Sequence, residues 1–99
     1  MKDYNHVTLV GEVTNIANQV DDEGTLFILK VNRNKKDETE SDYIPVYSYK
    51  NLADVVNENV NTGYRVLVDG KIKRQNGKGF HVEADSITIL SPKKEWKNV

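Results

Sequence analysis

The chain has 99 residues, 37% of them hydrophobic and 29% charged, with a formal net charge of −1, which suits one soluble domain. The absence of cysteine excludes a disulfide scaffold, a thiolate zinc site and a cysteine nucleophile. No apolar run is long enough to cross a membrane and none follows the N-terminus, so we expect a cytoplasmic protein without a membrane partner.

Short strands and one helix make up the predicted secondary structure. Alternation of apolar and polar side chains predicts five strands, over residues 6–13, 26–31, 43–49, 64–73 and 80–90. Gly11 interrupts the first strand, as a bulge or a barrel bend would. Pro45 cannot donate to a ladder, so the third strand is expected to be an edge or to be locally unpaired there. The largely polar residues 15–24 and the polar residues 32–42 are predicted to be loops.

One helix is predicted between the third and fourth strands, because apolar residues there recur at helical spacing at Leu52, Val55, Val56 and Val60. Asn51 is the predicted N-cap and Gly63 the predicted stop. Asn76-Gly77 is a strong signal for a tight hairpin between the last two strands. This order predicts an all-β protein of the oligonucleotide-binding (OB) fold, a five-stranded, partly open barrel. We assign residues 1–91 to this domain and residues 92–99 to a short polar tail.

Strand 3 carries the first candidate binding residues. Tyr43, Tyr47 and Tyr49 occupy odd positions and therefore share one face, whereas Ile44 and Val46 point to the opposite face, which we assign to the core. Aromatic side chains away from the core suit the stacking of nucleic-acid bases, worth about 1–3 kcal/mol per base. The alternative is that tyrosine simply favours strands and pairs across them.

The last hairpin carries the second set of candidates. Residues 63–99 hold eight Lys/Arg and four Asp/Glu (net +4), whereas residues 1–62 hold six and eleven (net −5). The candidates for phosphate contacts are Lys71, Lys73, Arg74 and Lys78. The alternative is a solvated hairpin whose lysines block edge pairing. Phe80, at the base of the hairpin, either stacks on a base or packs in the core.

Arg33 and Lys35, in the predicted loop after strand 2, are further candidates for phosphate contact, which the acidic residues beside them would weaken. Trp96, in the tail, could stack on nucleic acid, pack on the barrel or be disordered.

Neither His6 nor His81 has a catalytic partner at a motif spacing. We therefore expect no enzyme, no metal site and no cofactor.

Six segments, spread over residues 5–90, resemble in order those of the bacterial and phage single-stranded DNA-binding proteins. They are residues 5–11, 27–33, 42–46, 51–53, 63–70 and 84–87. The resemblance implies an OB barrel, sequence-tolerant binding of single-stranded DNA, and homo-oligomers paired through the first strand, near His6, Thr8 and Val10. In the family an aromatic residue at each end of strand 3 stacks on bases, and those positions resemble Tyr43 and Tyr49 here.

The sequence departs from the family pattern in three places. It has no aromatic residue near Lys35 and none at the tip of its short last hairpin, so we expect a lower affinity and a shorter footprint. The acidic tip that in family members recruits other proteins is not found at its end. Either the recruiting function is missing, or the sequence is a truncated form.

The sequence thus predicts a non-catalytic single-stranded DNA binder, a homodimer or homotetramer, acting in replication, recombination or repair. One alternative is an OB-fold protein-interaction or replication accessory module, with replication proteins as partners and little or no DNA binding. A third hypothesis is single-stranded RNA as the ligand, because stacking tolerates either sugar.

Overall fold

The computed structural model describes residues 1–17, 24–34, 39–75, 77 and 79–91. Within these ranges the elements are β1 (Val7–Ala17), β2 (Gly24–Asn34), β3 (Thr39–Tyr49), α1 (Lys50–Asn59), β4 (Arg65–Gln75) and β5 (Gly79–Ser91). The strands close into a barrel in the order β1-β2-β3-β5-β4. Neighbouring strands are antiparallel except β3 and β5, which are parallel. This confirms the predicted OB fold, with a barrel that is closed rather than partly open.

The barrel interior is filled by apolar side chains from every strand and from α1. The core residues are Val13, Phe27, Leu29, Val46, Val56, Val60, Val66, Val68, Val82 and Ala84. Burial of such side chains stabilises the fold by about 1.5–3 kcal/mol for each larger residue. Helix α1 turns Ala53 and Val56 towards the barrel and leaves Val55 44% exposed, as its amphipathic spacing predicts. Among the described residues, no helix has the length and apolarity needed to cross a membrane.

Strand β1 changes partner along its length. Residues 7–12 pair with β4, and residues from Glu12 onwards pair with β2. Gly11 lies at this change, where a Cβ atom would run into the backbone carbonyl oxygen of Lys30. The bulge in the β1–β2 pairing lies between Val13 and Asn15, so of the two predicted alternatives the bulge at Gly11 is wrong, whereas a barrel bend agrees with the change of partner there. Close approach to β2 is what requires glycine there.

Strands β2 and β3 form a longer hairpin than the sequence predicts. Their pairing continues to Asn34 and Thr39, so the predicted loop over residues 32–42 is wrong on both sides of residues 35–38, which lie outside the described residues. This end of the hairpin has no alternating apolar residues and is joined by polar contacts across the strands. The Ser41 hydroxyl, for example, donates to Asn32 Oδ1 at 2.7 Å. Strand β1 likewise continues to Ala17, into the predicted loop over residues 15–24.

Pro45 does not mark an edge strand, because β3 lies between β2 and β5. The parallel pairing with β5 comprises Val46 and Tyr47 and therefore begins one residue after Pro45. Pro45, which has no N–H group to donate, is therefore not part of the β3–β5 ladder.

The helix begins earlier than predicted. Tyr49 occupies the N-cap position, without a side-chain hydrogen bond to the helix, so the prediction of Asn51 as N-cap is wrong. Lys50 has a φ of 56°, a left-handed conformation that turns the chain sharply out of β3. The helix ends at Asn59. Gly63 lies in the following turn, with a φ of 93°, and its N–H donates to the carbonyl oxygen of Val13 at 2.7 Å.

Gly70 lies at a second close approach, beside an irregularity in the β4–β5 pairing. A Cβ atom there would collide with the backbone carbonyl oxygen of Glu83. We expect Gly70→Ala to lower the free energy of unfolding by about 1–3 kcal/mol, because the two strands must move apart. Urea denaturation measures this change. Ser86→Ala, an exposed position paired with Asp69 at the same irregularity, is the control and should change stability by less than about 0.5 kcal/mol. Equal stability of the two variants would contradict the close approach.

Candidate nucleic-acid interface

One continuous surface of the barrel carries five of the ten candidate nucleic-acid-binding residues. Residues paired across neighbouring strands point to the same side of the sheet. The registers therefore bring side chains of β2, β3, β5 and β4 together on the outside of the barrel. We call this surface the outer face and define it by Lys30, Tyr43, Tyr47, Tyr49, Lys71, Lys73, His81 and Glu83.

The three tyrosines of β3 point outwards because the alternate residues point into the core. Val46 and Ser48 are fully buried, whereas Tyr43 is 61% exposed. Tyr47 and Tyr49 are half-buried. The predicted alternation along strand 3 is confirmed by this burial. Tyr43 therefore offers an accessible aromatic ring, separated along the strand from the other two.

Tyr47 is the centre of an aromatic row. Its ring lies nearly parallel to that of Tyr49, with 6.0 Å between centroids and 8° between planes. On its other side, the ring of His81 meets it edge-on at 4.6 Å and 64°. Gly24 pairs with Tyr49, and a Cβ atom on Gly24 would lie 3.1 Å from the Tyr49 ring. The small residue on β2 therefore lets that ring lie across the neighbouring strand.

The positive charges of the β4 lysines are partly compensated by a neighbouring carboxylate. Lys71 Nζ lies 3.5 Å from Glu83 Oε1, and Lys73 Nζ lies 3.5 Å from Glu83 Oε2. The two ammonium groups thus share one carboxylate, and the cluster carries a single net positive charge. The sequence pattern indicates the lysines but not Glu83, because only the strand register places Glu83 beside Lys71 and Tyr47.

Arg74 and Phe80 lie on the opposite side of the last hairpin. They are paired across the two strands, and the guanidinium carbon of Arg74 is 5.8 Å from the centroid of the Phe80 ring. Phe80 is 64% exposed, so it is not a core residue. It lines an apolar cavity of about 470 Å³, together with Val7, Leu9, Ile44, Ile72, His81 and Val82. The four cationic candidates on the hairpin are therefore not on one surface.

The remaining cationic candidates are paired or lie outside the described residues. Arg33 Nε is 3.0 Å from Asp42 Oδ2, and its guanidinium also approaches Glu40 at 3.9 Å. These acidic neighbours reduce the positive charge that Arg33 offers to a phosphate. Lys35, Lys78 and Trp96 lie outside the described residues.

The candidate oligomer interface lies on the first half of β1. The Thr8 hydroxyl donates to Asp69 Oδ1 at 2.6 Å, and His6 Nε2 lies 3.5 Å from the same oxygen. Val10 is 40% exposed. Residues 7–11 pair with β4 along one edge, and no strand of the described ranges pairs with their other edge. This part of β1 is therefore open to a further strand.

Among the described residues, no group of three or more His, Asp or Glu side chains could hold a metal ion. His81 contributes an aromatic ring to the outer face, a role that its sequence context did not indicate. Its place follows from the parallel β3–β5 pairing, which joins strands far apart in the chain.

A closed five-stranded barrel, with outward aromatic side chains on its third strand, defines an OB-fold binding domain. The model of the single-strand binding protein family matches residues 4–88, and the chain belongs to this family. Similar solved structures include small single-stranded DNA-binding proteins from Streptomyces coelicolor and Mycoplasma pneumoniae. The first is 17% identical with a TM-score of 0.73, covering 90% of this chain and 95% of the other. The second is 23% identical with a TM-score of 0.73, covering 94% and 99%.

A third similar structure is the dimeric N-terminal domain of PriB protein from Thermoanaerobacter tencongensis. It is 29% identical to this chain with a TM-score of 0.69, and the match covers 89% of this chain and 98% of the other. A search of curated protein sequences finds no significant match.

The tyrosines of the outer face differ in how much they contribute to stability. Tyr47→Ala removes a ring that contacts both Tyr49 and His81, so we expect a loss of about 1–3 kcal/mol in the free energy of unfolding. Tyr43→Ala removes an exposed ring, and the loss should stay below about 0.5 kcal/mol. Urea denaturation of both variants checks this. If the two variants lose equal amounts of unfolding free energy, the contacts of Tyr47 with Tyr49 and His81 do not stabilise the fold.

Proposed function

We propose that the protein binds single-stranded DNA with little sequence preference and catalyses no reaction on it, acting in replication, recombination or repair. The observation that carries the proposal is the row of tyrosines that the alternation of β3 turns away from the core. Membership of the single-strand binding protein family supports it, as do two similar structures described as single-stranded DNA-binding proteins. The predicted compartment remains the cytoplasm, on sequence composition alone.

Base stacking is the main source of affinity in this proposal. The exposed ring of Tyr43 accepts one base, and the nearly parallel rings of Tyr47 and Tyr49 accept others further along β3. Stacking is tolerant of sequence because every base has an aromatic face. Lys71 and Lys73 lie on the same surface and supply phosphate contacts. Arg74, beside Phe80, and Arg33 on β2 contribute less to the binding energy.

Tyr43 gives the sharpest test of this function. We expect Tyr43→Ala to weaken binding of a labelled oligo-dT about five- to one-hundredfold, because stacking contributes about 1–3 kcal/mol per base. Fluorescence anisotropy measures the affinity. Tyr4→Ala is the matched control, since Tyr4 is 91% exposed but lies on the N-terminal segment outside the outer face. If both variants bind as tightly as the unmodified protein, Tyr43 does not stack on DNA.

A second candidate function is a protein-interaction or replication accessory module. The observation that favours it is the position of Glu83, which offsets one of the two lysine charges on the surface proposed for DNA. In that case Tyr43→Ala combined with Tyr49→Ala would spare biological activity. Competition between RNA and DNA oligomers of matched sequence, measured as relative affinity for the protein, tests whether RNA is the ligand instead.

We also propose that the protein forms a homodimer through β1, or a homotetramer built from such dimers. Residues 7–11 have an edge to which no described strand is paired, and an isologous contact would let the same edge of a second copy pair with it. The side chains at this strand include His6, Thr8 and Val10. The dimeric PriB domain, which shares the fold, supports the proposal.

Val10→Glu tests the dimer. In an isologous β1–β1 contact the two substituted residues come near one another, and like charges at paired positions destabilise pairing. Sedimentation equilibrium should give at least twice the chain mass of 11.3 kDa for the unmodified protein and a shift to monomer for the variant. Val55→Glu, at a comparably exposed apolar position on α1, should leave the mass unchanged. A monomeric unmodified protein would refute the proposal.

A further inference from the structure

Glu83 is an acidic residue in the middle of a surface that otherwise suits a polyanion. Its register places it beside Tyr47 on β3 and Lys71 on β4. The Glu83 side chain is 21% exposed, and each of its carboxylate oxygens lies 3.5 Å from a different lysine nitrogen. The lysine side chains are 42% and 50% exposed, so their outer sides remain accessible to a second anion.

Stability alone gives little reason for this arrangement. Ion pairs between side chains as exposed as these lysines contribute only about 0–1 kcal/mol to folding. The cost to anion binding is more direct. A phosphate that approaches either lysine meets the repulsion of the carboxylate, and the lysine that it takes must weaken its contact with Glu83.

We propose that Lys71, Lys73 and Glu83 form a gated phosphate subsite, in which Glu83 occupies the lysines until a backbone phosphate of single-stranded DNA replaces it. The inference rests on the proposed function and adds a residue that limits its affinity. Binding then consists of an exchange of one anion for another at the two ammonium groups. The net electrostatic gain is smaller than that of two unpaired lysines, so Glu83 keeps the complex weak and readily reversible.

The position of Tyr47 explains why the exchange accompanies base stacking. Tyr47 and Glu83 are register partners across the β3–β5 pairing, and Lys71 is the partner of Glu83 on β4. A strand whose base lies on the tyrosine row therefore has its backbone within reach of the lysines. Stacking brings the phosphate to the subsite and offsets part of the cost of displacing the carboxylate.

Glu83→Gln tests the gate, because it removes the charge and keeps the shape. We expect binding of labelled oligo-dT about three- to tenfold tighter at low salt. The gain should shrink as salt is raised, since it is electrostatic. Asp85→Asn is the matched control: Asp85 is exposed on the same strand, the substitution changes net charge equally, and none of the described contacts joins it to a lysine. Its effect should stay below about twofold.

Two further measurements keep the result interpretable. Glu83→Ala removes the same charge with a different shape, so a folding defect in one variant, seen by thermal denaturation, does not hide the effect. Lys73→Met should cost more affinity in the Glu83→Gln protein than in the unmodified protein, because the lysine is then free of its competitor.

The possible outcomes separate the two proposals. Tighter binding by both Glu83 variants, with Asp85→Asn near the unmodified protein, supports the gate. If the unmodified protein binds oligo-dT and the Glu83 variants bind no tighter, the gate is overturned and the proposed function stands. If neither the unmodified protein nor the Glu83 variants bind at low salt, both proposals are overturned.

Discussion

The alternation of β3 within a closed barrel is the constraint on which the candidate site depends. β3 is flanked by β2 and β5, and two of its inward side chains, Val46 and Ser48, are fully buried. A shift of one residue in register would bury the tyrosines and expose the core. The same hydrophobic burial that closes the barrel therefore turns the aromatic rings outwards. Fold stability and the proposed binding surface are two consequences of one pattern.

The electrostatics of the molecule favour stacking over charge as the source of the proposed affinity. The net charge is −1, and three of the described cationic candidates have acidic neighbours: Arg33 lies beside Asp42, and Lys71 and Lys73 lie beside Glu83. A protein that relied on phosphate contacts alone would carry an excess of unpaired basic side chains. Here the positive charge is local and partly compensated, so the proposed DNA binding depends on the aromatic rings for much of its energy.

The element order and the faces of the strands could be predicted because they follow from local sequence signals: period-two alternation, the helical spacing after Asn51 and the Asn76-Gly77 dipeptide. Three details could not. The ends of β2 and β3 are polar on both sides and are paired through contacts such as Ser41 with Asn32, which leave no apolar pattern. The start of α1 depends on the conformation of Lys50 rather than on a capping side chain. His81 and Glu83 join the site only through the β3–β5 and β4–β5 registers, which are long-range properties of the barrel. The tyrosines, by contrast, were predictable because alternation is local.

The central claim is that the outer face binds single-stranded DNA, and direct titration tests it. Fluorescence anisotropy of a labelled oligo-dT, at low and at moderate salt, should show saturable binding that weakens as salt rises. Duplex DNA of the same length should bind much more weakly, since its bases are not free to stack on the tyrosines. No binding to the single strand at low salt, or equal binding to the duplex, would contradict the account.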